Sequence, residues 1–478
     1  MGSLSFKGVS KSLAIVAIVA IVVGVAAFFG GMTIGRSSLP QQAAQVITVT
    51  IPQRVTITQT IVQTATIAPT EVQTPAPAQV PDKILVGVAI ALSGAQADAG
   101  KRQFLGIMAA VKWVNEVYGG VKLYGKRIPL ELKYYDDESK KDLVISYVER
   151  LITVDKVNFL ISPYSSPLAF AAAPVAEKYR VLMVNSGGAS DYINEQGFKY
   201  VASVLTPASK YLWPALDALK QINPGARIAI LYKDDEFNRA SGQGASARAK
   251  ELGLQVVYEK IYPADIKDFT PIITELAGAK ADSLVVSAHY ADGQLLTKQL
   301  ADLGLDFKFI AINVAPCIQS YYDTLKILAE GILCPSQWEP GVKYTPDLAR
   351  RMGLEWFGPT TEEFLKLFRE VAKDPGLLPS YHSAIGAAAV LMLVKAIEAA
   401  QSLDSAKVRE AISKLNIMTF YGLSKPDPVT GKDTAHEMVL GQWQKGRFVV
   451  VWPPSVAEAK LYYPLPTWEE KRAGKTVG

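Results

Sequence analysis

The chain alternates between a strand-like and a helix-like hydrophobic pattern, and it runs through that alternation twice. "ILVGVAIAL" after Pro81 is a continuous apolar run of strand length, as expected of a parallel strand covered on both faces. A helix follows from about Gly100, with Phe104, Ile107, Met108, Val111, Val114 and Val117 on one face, ending at Gly119 and Gly120. Strand "RIPLELKYY", helix "DLVISYVERLIT", strand "VNFLIS", helix "PLAFAAAPVAEKY" and strand "RVLMV" come next. The pattern restarts at "YLWPALDALKQI" and continues through the strands "RIAILY", "LQVVYEKIY", "DSLVVSA" and "FKFIAI", with helices between them. Repeated strand–helix–strand units build parallel sheets with helices on both faces. The expected fold is therefore α/β, with two Rossmann-like lobes. "KYYDDE" and "LYKDDE" echo each other at strand ends in the two halves. Solvated loops and helix caps account for those acids better than a metal site does.

The N-terminal part reads differently. Residues 12–35 carry no charge and are long enough to cross the ~30 Å hydrocarbon core at about 1.5 Å per residue. Lys7 and Lys11 precede this run, and only Arg36 and Arg54 follow it over a longer stretch, a bias that keeps the N-terminus inside. The expectation is one transmembrane anchor over 12–35, after a cytoplasmic N-terminus or leader of residues 1–11. "KGVS" at 7–10 resembles the type IV pilin-like signal of archaeal secreted proteins, which is cut after the glycine. A helix retained whole and a cleaved secretory signal are the alternatives. Residues 36–81 are rich in Thr, Gln, Val, Ala and Pro and read as an extended stalk. The globular part is then extracytoplasmic, a compartment that permits but does not require a disulfide between Cys317 and Cys334.

Several function classes fall away. The net charge of +5 is spread without a basic block, so nucleic acid is not an expected partner. There is no G-x-S-x-G elbow, Walker loop or H-E-x-x-H motif, and with only three histidines no enzyme, metal or cofactor is expected. "GQGASA" at 242–247 fits G-x-G-x-x-A, but nine residues separate it from Tyr232, so it reads as a helix start rather than a dinucleotide loop.

Two hydroxyl-rich loops suit a ligand instead. "SPYSSP" (162–167) and "NSGGAS" (185–190) each follow a strand, and ligands of open parallel sheets collect beyond the carboxyl ends of the strands. The helix start after the first loop offers N–H donors, and Ser165 and Ser166 add hydroxyls. Gly187 and Gly188 would let a ligand reach the backbone directly. A capped helix and a tight turn would explain either loop alone.

"ILVGVAIALSGAQADAGKRQFLGIMAAVKWVNE", "IPLELKYYDDES" and "SPYSSPLAFAAAPVAEKYRVLMVNSGGAS" together resemble the type I periplasmic substrate-binding proteins of ABC transporters, in the leucine/isoleucine/valine-binding group. "YHSAIGAAAVLMLVKAIEAAQSLDSAKVREAI" and "LGQWQKGRFVVVWP" are similar to that family's closing helix and last strand, and the resemblance covers about 84–453. It implies two lobes joined by three crossovers and closing on a small solute. The first lobe would be 82–204 with 337–440, the second 205–336 with 441–453, and 454–478 a C-terminal tail. It also implies work with permease and ATPase subunits and no catalysis; a sensor domain for amides, urea or organic acids is the alternative.

By the same resemblance, Ser165, Gly187 and Ala189 grip the ligand's carboxylate, with the Ser190 hydroxyl beside them. Phe237 and His289, with Tyr290 adjacent, fall at the second lobe's aromatic positions, and Asn313 at the family's ammonium-pairing acid. This chain departs where amino-acid binders carry a tyrosine (here Ala99) and a threonine (here Ala189). With Asn313 in place of the acid, an amino acid, an amide, a urea-like compound and an amine-free carboxylic acid all stay open, as does replacement of the charge by Asp98, Asp191 or Asp234.

Overall fold

In β1 (Ile84–Ile90) successive side chains point to opposite faces, and nearly all of them are buried, which explains its unbroken apolar run. β1 pairs in parallel with β2 (Leu130–Asp136) on one side and β3 (Phe159–Ile161) on the other. β4 (Met183–Asn185) and β5 (Val201–Ser203) complete a five-stranded parallel sheet of order β2-β1-β3-β4-β5. Helices α1 (Ala97–Lys112), α2 (Lys141–Thr153) and α3 (Ser166–Tyr179) connect these strands. The computed structural model describes residues 80–374 and 376–477. The expected anchor over 12–35, the leader and the stalk up to residue 79 lie outside the described residues.

The chain then builds a second sheet. α4 (Trp213–Ile222) leads into β6 (Arg227–Lys233), α5 (Glu236–Glu251) and β7 (Gln255–Tyr262). α6 (Thr270–Ala279), β8 (Ser283–Ser287), α7 (Tyr290–Asp302), β9 (Phe309–Ile312) and β10 (Leu333–Ser336) follow. The chain returns to the first lobe through α8 (Thr361–Ala372), α9 (Tyr381–Ala400) and α10 (Ser405–Lys414), and re-enters the second sheet as β11 (Val439–Gln444) and β12 (Arg447–Trp452). The second sheet has the order β12-β11-β10-β9-β8-β6-β7, with β11 and β12 antiparallel to their neighbours. The re-entry begins at Val439, two residues before the expected boundary.

α9 is apolar and long enough to cross a membrane, yet it is largely buried, as the core helix of the first lobe. Gly106 of α1 and Gly386 of α9 let the two backbones touch: a Cβ on Gly106 would lie 1.9 Å from the Ser383 carbonyl oxygen. The segment read as a tail packs on the second lobe, where Leu465 and Trp468 join its core and the Trp468 indole donates to the Leu305 carbonyl at 2.8 Å.

"GQGASA" lies in the middle of α5, not at a helix start. Asp235 caps that helix, accepting from the N–H groups of Phe237 and Asn238 at 3.1 and 2.9 Å. The glycines serve packing: a Cβ on Gly244 would lie 1.9 Å from the Ser209 carbonyl oxygen. The acids of the two strand-end echoes act as caps and turn acceptors, with Asp136 taking the N–H groups of Leu92, Ser93 and Glu138. Cys317 and Cys334 form a disulfide with Cα atoms 5.6 Å apart, tying the turn after β9 to β10.

Three crossovers meet at Gln337. Its Oε1 accepts from the Thr206 N–H at 2.9 Å and from the Tyr421 hydroxyl at 2.6 Å, and its Nε2 donates to the Tyr211 hydroxyl. The His436 ring Nε2 lies 2.8 Å from the Gln337 carbonyl oxygen, and Thr206 Oγ1 donates to the His436 carbonyl at 3.1 Å. Gln337 thus gathers the three segments that link the lobes, holding Thr206 through its side-chain amide and His436 through its main-chain carbonyl.

Candidate functional site

Between the lobes lies a very small cavity of about 10 Å³, room for about one water molecule. That is far below the ~300–1,000 Å³ of sites for drug-sized ligands, so a solute enters only as the lobes part. Tyr164, Ser165, Ser166, Gly187, Ala189 and Leu205 face it from loops after β3, β4 and β5. Phe237, His289 and Val314 face it from beyond β6, β8 and β9, with Tyr211 beside them. Tyr381 and Ile385 of α9 supply the remaining wall. Ser165 follows the strand where the first sheet's order reverses, between β1 and β3; Phe237 and His289 flank the equivalent reversal between β6 and β8. Such switch points leave a crevice because the helices on either side run to opposite faces of the sheet.

The two hydroxyl-rich loops are one unit. Ser162 Oγ donates to Asn185 Oδ1 at 2.9 Å and accepts from the N–H groups of Ser186 and Gly187, both at 3.0 Å. Ser166 Oγ accepts from the Ser190 N–H at 3.0 Å. Ser165 differs from its neighbours. It sits at the N-cap of α3 without capping it, is only 2% exposed, and its hydroxyl has no hydrogen-bond partner. A buried hydroxyl left unpaired costs about 1–3 kcal/mol, and a solute in the cavity would remove that cost.

The backbone of "NSGGAS" is less free than its glycines suggest. The Gly187 N–H is taken by Ser162, and the Gly188 N–H donates to Asn185 Oδ1 at 2.9 Å, so these donors are not open to a ligand. The glycines permit loop-to-loop contact instead: a Cβ on Gly187 would lie 1.9 Å from the Pro163 carbonyl oxygen. Asn313 does not line the cavity. Its amide donates to Ser241 Oγ and Ser287 Oγ at 3.0 and 2.8 Å and accepts from the Ala288 N–H at 2.8 Å, inside the second lobe. Its neighbour Val314 reaches the cavity in its place. Ser190 bridges rather than lines: its Oγ donates to the Glu236 carbonyl across the cleft at 2.8 Å. Lys141 with Glu236 (3.1 Å) and Ser320 with Asp98 (3.2 Å) span the same gap, so the lobes are closed.

Aromatic rings dominate the walls. Phe237 packs against Tyr211 and His289 with centroids 5.0 and 5.5 Å apart, and Tyr164 lies against His382 at 5.1 Å. Burial pushes the Tyr164, Tyr211 and Tyr381 phenols up and holds the His382 imidazole well below its usual range. His289 Nε2 lies 3.3 Å from Asp235 Oδ2. Burial alone would raise the Asp235 carboxyl, but His289 and the Asn238 hydrogen bonds outweigh it and bring it down to about 2.

A sequence model of the periplasmic binding protein family matches residues 83–447. The chain belongs to that family. A periplasmic binding protein binds solute rather than turning it over, and this chain has a solute-binding role. It is 25% identical over 393 residues to a Leu/Ile/Val-binding protein homolog of Brucella suis, covering 80% of this chain and 94% of that protein. Its fold is shared by a leucine-binding protein of Thermotoga maritima, with a TM-score of 0.66, 20% identity and coverage of 77% and 97% of the two chains. It is also shared by an ABC-transporter solute-binding protein of Rhodopseudomonas palustris in complex with p-hydroxybenzoic acid, with a TM-score of 0.66, 22% identity and coverage of 80% and 98%.

Within this periplasmic binding protein fold, the three acids weighed as replacements for Asn313 are engaged elsewhere. Asp98 pairs with Arg102 and Ser320 at the cleft rim, Asp191 with Lys432 and Ser209, and Asp234 with Arg239. The acid that does approach the site is Asp235, the second aspartate of "LYKDDE", which capping chemistry alone explained. Tyr164, Leu205, Tyr211, Val314, Tyr381 and Ile385 were not anticipated. Tyr164 was within reach, standing inside the loop "SPYSSP"; Tyr381 opens a helix whose pattern signals only core.

Proposed function

We propose that the chain is the extracytoplasmic solute-binding subunit of an ABC importer, holding a small amino acid, amide or carboxylate in the cleft between its lobes. Ser165, Ser166, Gly187, Ala189, Phe237 and His289 are the proposed contacts, and Ser190 a closure contact rather than a wall. The observation that carries this reading is the buried, unpartnered hydroxyl of Ser165, a residue in the wall of a cavity that both lobes build. The Brucella, Thermotoga and Rhodopseudomonas relatives, named for leucine-type and aromatic-acid ligands, support it. Differential burial of the solute favours the closed form, the state a permease would read. In this proposal residues 12–35 anchor the chain in the membrane and 36–81 act as its stalk. The lobe limits follow the resemblance, with the second lobe extended to include 454–477.

A thermal-shift screen of the full-length chain against amino acids, amides, urea and organic acids tests the proposal. A solute at about 100 times its Kd adds about 2.7 kcal/mol of stability and raises the melting temperature. A broad panel without any shift contradicts the reading.

A further inference from the structure

The lobes also meet around a second, larger cavity of about 450 Å³, which shares no residue with the solute cavity. Its volume falls within the ~300–1,000 Å³ of small-molecule sites. From the first lobe come Leu365 and Arg369, one turn apart on α8, with Leu377 and Leu378 of the segment leading to α9. From the second come Trp443 of β11, then Arg447 and Phe448 at the start of β12. Glu339 lies between them, just after the crossover residue Gln337.

The apolar part of this wall is held in place. The Trp443 indole donates to the Pro316 carbonyl at 2.8 Å, and its ring packs on Phe448 with centroids 5.3 Å apart. The Leu378 carbonyl accepts from the buried Arg102 guanidinium, yet the Leu378 residue stays 53% exposed. These side chains surround the space without filling it.

The polar part of the wall is unpaired. Glu339 is only 8% exposed, and its Oε1 has no hydrogen-bond partner. Burial raises this carboxyl to about 8, so at neutral pH it keeps a proton that it can donate. The Arg447 guanidinium makes no hydrogen bond or ion pair among the described residues. Arg369 uses only Nε, which donates to the Leu365 carbonyl at 3.0 Å. Glu339 is the one acid in the wall and burial holds it neutral, so the cavity carries positive charge with no anion to balance it. Guanidinium groups bind planar anions through paired N–H donors.

We propose that this cavity is a second ligand site, separate from the solute cleft, for a small amphipathic anion. Its anionic group lies on Arg369 and Arg447, its apolar body among Leu365, Leu377, Leu378 and Phe448, and a hydrogen-bond acceptor along that body meets Glu339. Because both lobes supply the wall, an occupant favours the closed form.

Isothermal titration of the full-length chain with N-acetylphenylalanine, which joins a ring, an amide and a carboxylate, tests the site. It should bind saturably. Phenylalaninamide, with the same ring and a positive charge in place of the negative one, should bind at least about tenfold more weakly. Arg369→Ala combined with Arg447→Ala should weaken N-acetylphenylalanine by about tenfold or more, the loss for hydrogen bonds to a charged group. Circular dichroism checks that the variant folds. No saturable binding, equal binding of phenylalaninamide, or unchanged affinity in the arginine variant overturns the proposal. Ser165→Ala separates the two sites: unchanged affinity supports a site outside the solute cleft. If Ser165→Ala abolishes binding and the arginine variant does not, the probe occupies the solute cleft, and this proposal fails while the cleft reading stands.

Discussion

Ser190 Oγ, from the first lobe, donates a 2.8 Å hydrogen bond to the main-chain carbonyl of Glu236 in the second. The bond exists only while the lobes are together, so its worth enters the closing equilibrium and not the stability of either lobe. Ser190→Ala should weaken solute binding about two- to tenfold, the range for a net contribution of ~0.5–1.5 kcal/mol. The melting temperature of the unliganded protein should stay nearly unchanged. Titration beside a thermal melt separates the two effects.

Gln337 carries a different load, because it joins the crossovers in either state of the cleft. Gln337→Leu keeps the approximate volume but strips partners from the Thr206 N–H and the Tyr421 hydroxyl. With two buried groups unpaired, the cost should be about 2–4 kcal/mol in chemical denaturation. A variant as stable as the parent would mean that water replaces the amide at no cost.

Glu339 follows the second crossover, and burial pushes its carboxyl up from 4.5 to about 8. The folded state therefore keeps a proton that the unfolded chain has released once the pH passes the ordinary glutamate value. Its stabilising share is complete below pH 4.5 and declines until about pH 8, above which no more is lost. Asp137, raised by burial to about 7, adds a decline of the same sign over a lower window. Glu339→Gln should flatten the stability–pH curve between 4.5 and 8 and leave the Asp137 share in place. An unchanged slope in urea titrations across that range would contradict the assignment.

The Cys317–Cys334 bond closes a short loop, with a sequence separation of 17. Restricting the unfolded chain by a loop of that size contributes about 3 kcal/mol. Because the link lies between β9 and β10, within the second lobe, its reduction should lower the melting temperature of the chain. A double Cys→Ser variant should reproduce the loss without affecting the Ser165 loop.

Much of this architecture was legible in the sequence because the period of hydrophobic residues reports backbone geometry directly. β1, buried on both faces, reads as an unbroken apolar run, and β8 as Leu284, Val285 and Val286 between two buried serines, while the helices between them show one apolar side. The loops at the strand ends were legible too, since Ser, Gly and Asn cluster there for physical reasons. What sequence could not supply was the destination of each polar group. Nothing local distinguishes the free Ser165 hydroxyl from that of Ser166, which is held by Ser190, or shows that Asn313 turns inward while Val314 reaches the cavity. Those outcomes depend on contacts between segments far apart in the chain, such as Asn313 with Ser241 and Ser190 with Glu236. "GQGASA" failed for the same reason: its glycines answer to Ser209 and Tyr232, which the motif does not contain.

Solute binding at Ser165 is best tested by a crystal structure of the chain with a solute that raises its melting temperature. The lobes should be closed, with the solute's polar end within hydrogen-bond distance of Ser165 Oγ and its body against Tyr164, Phe237 and Tyr381. A solute found outside this cleft, or inside it with the Ser165 hydroxyl still unpaired, would contradict that placement.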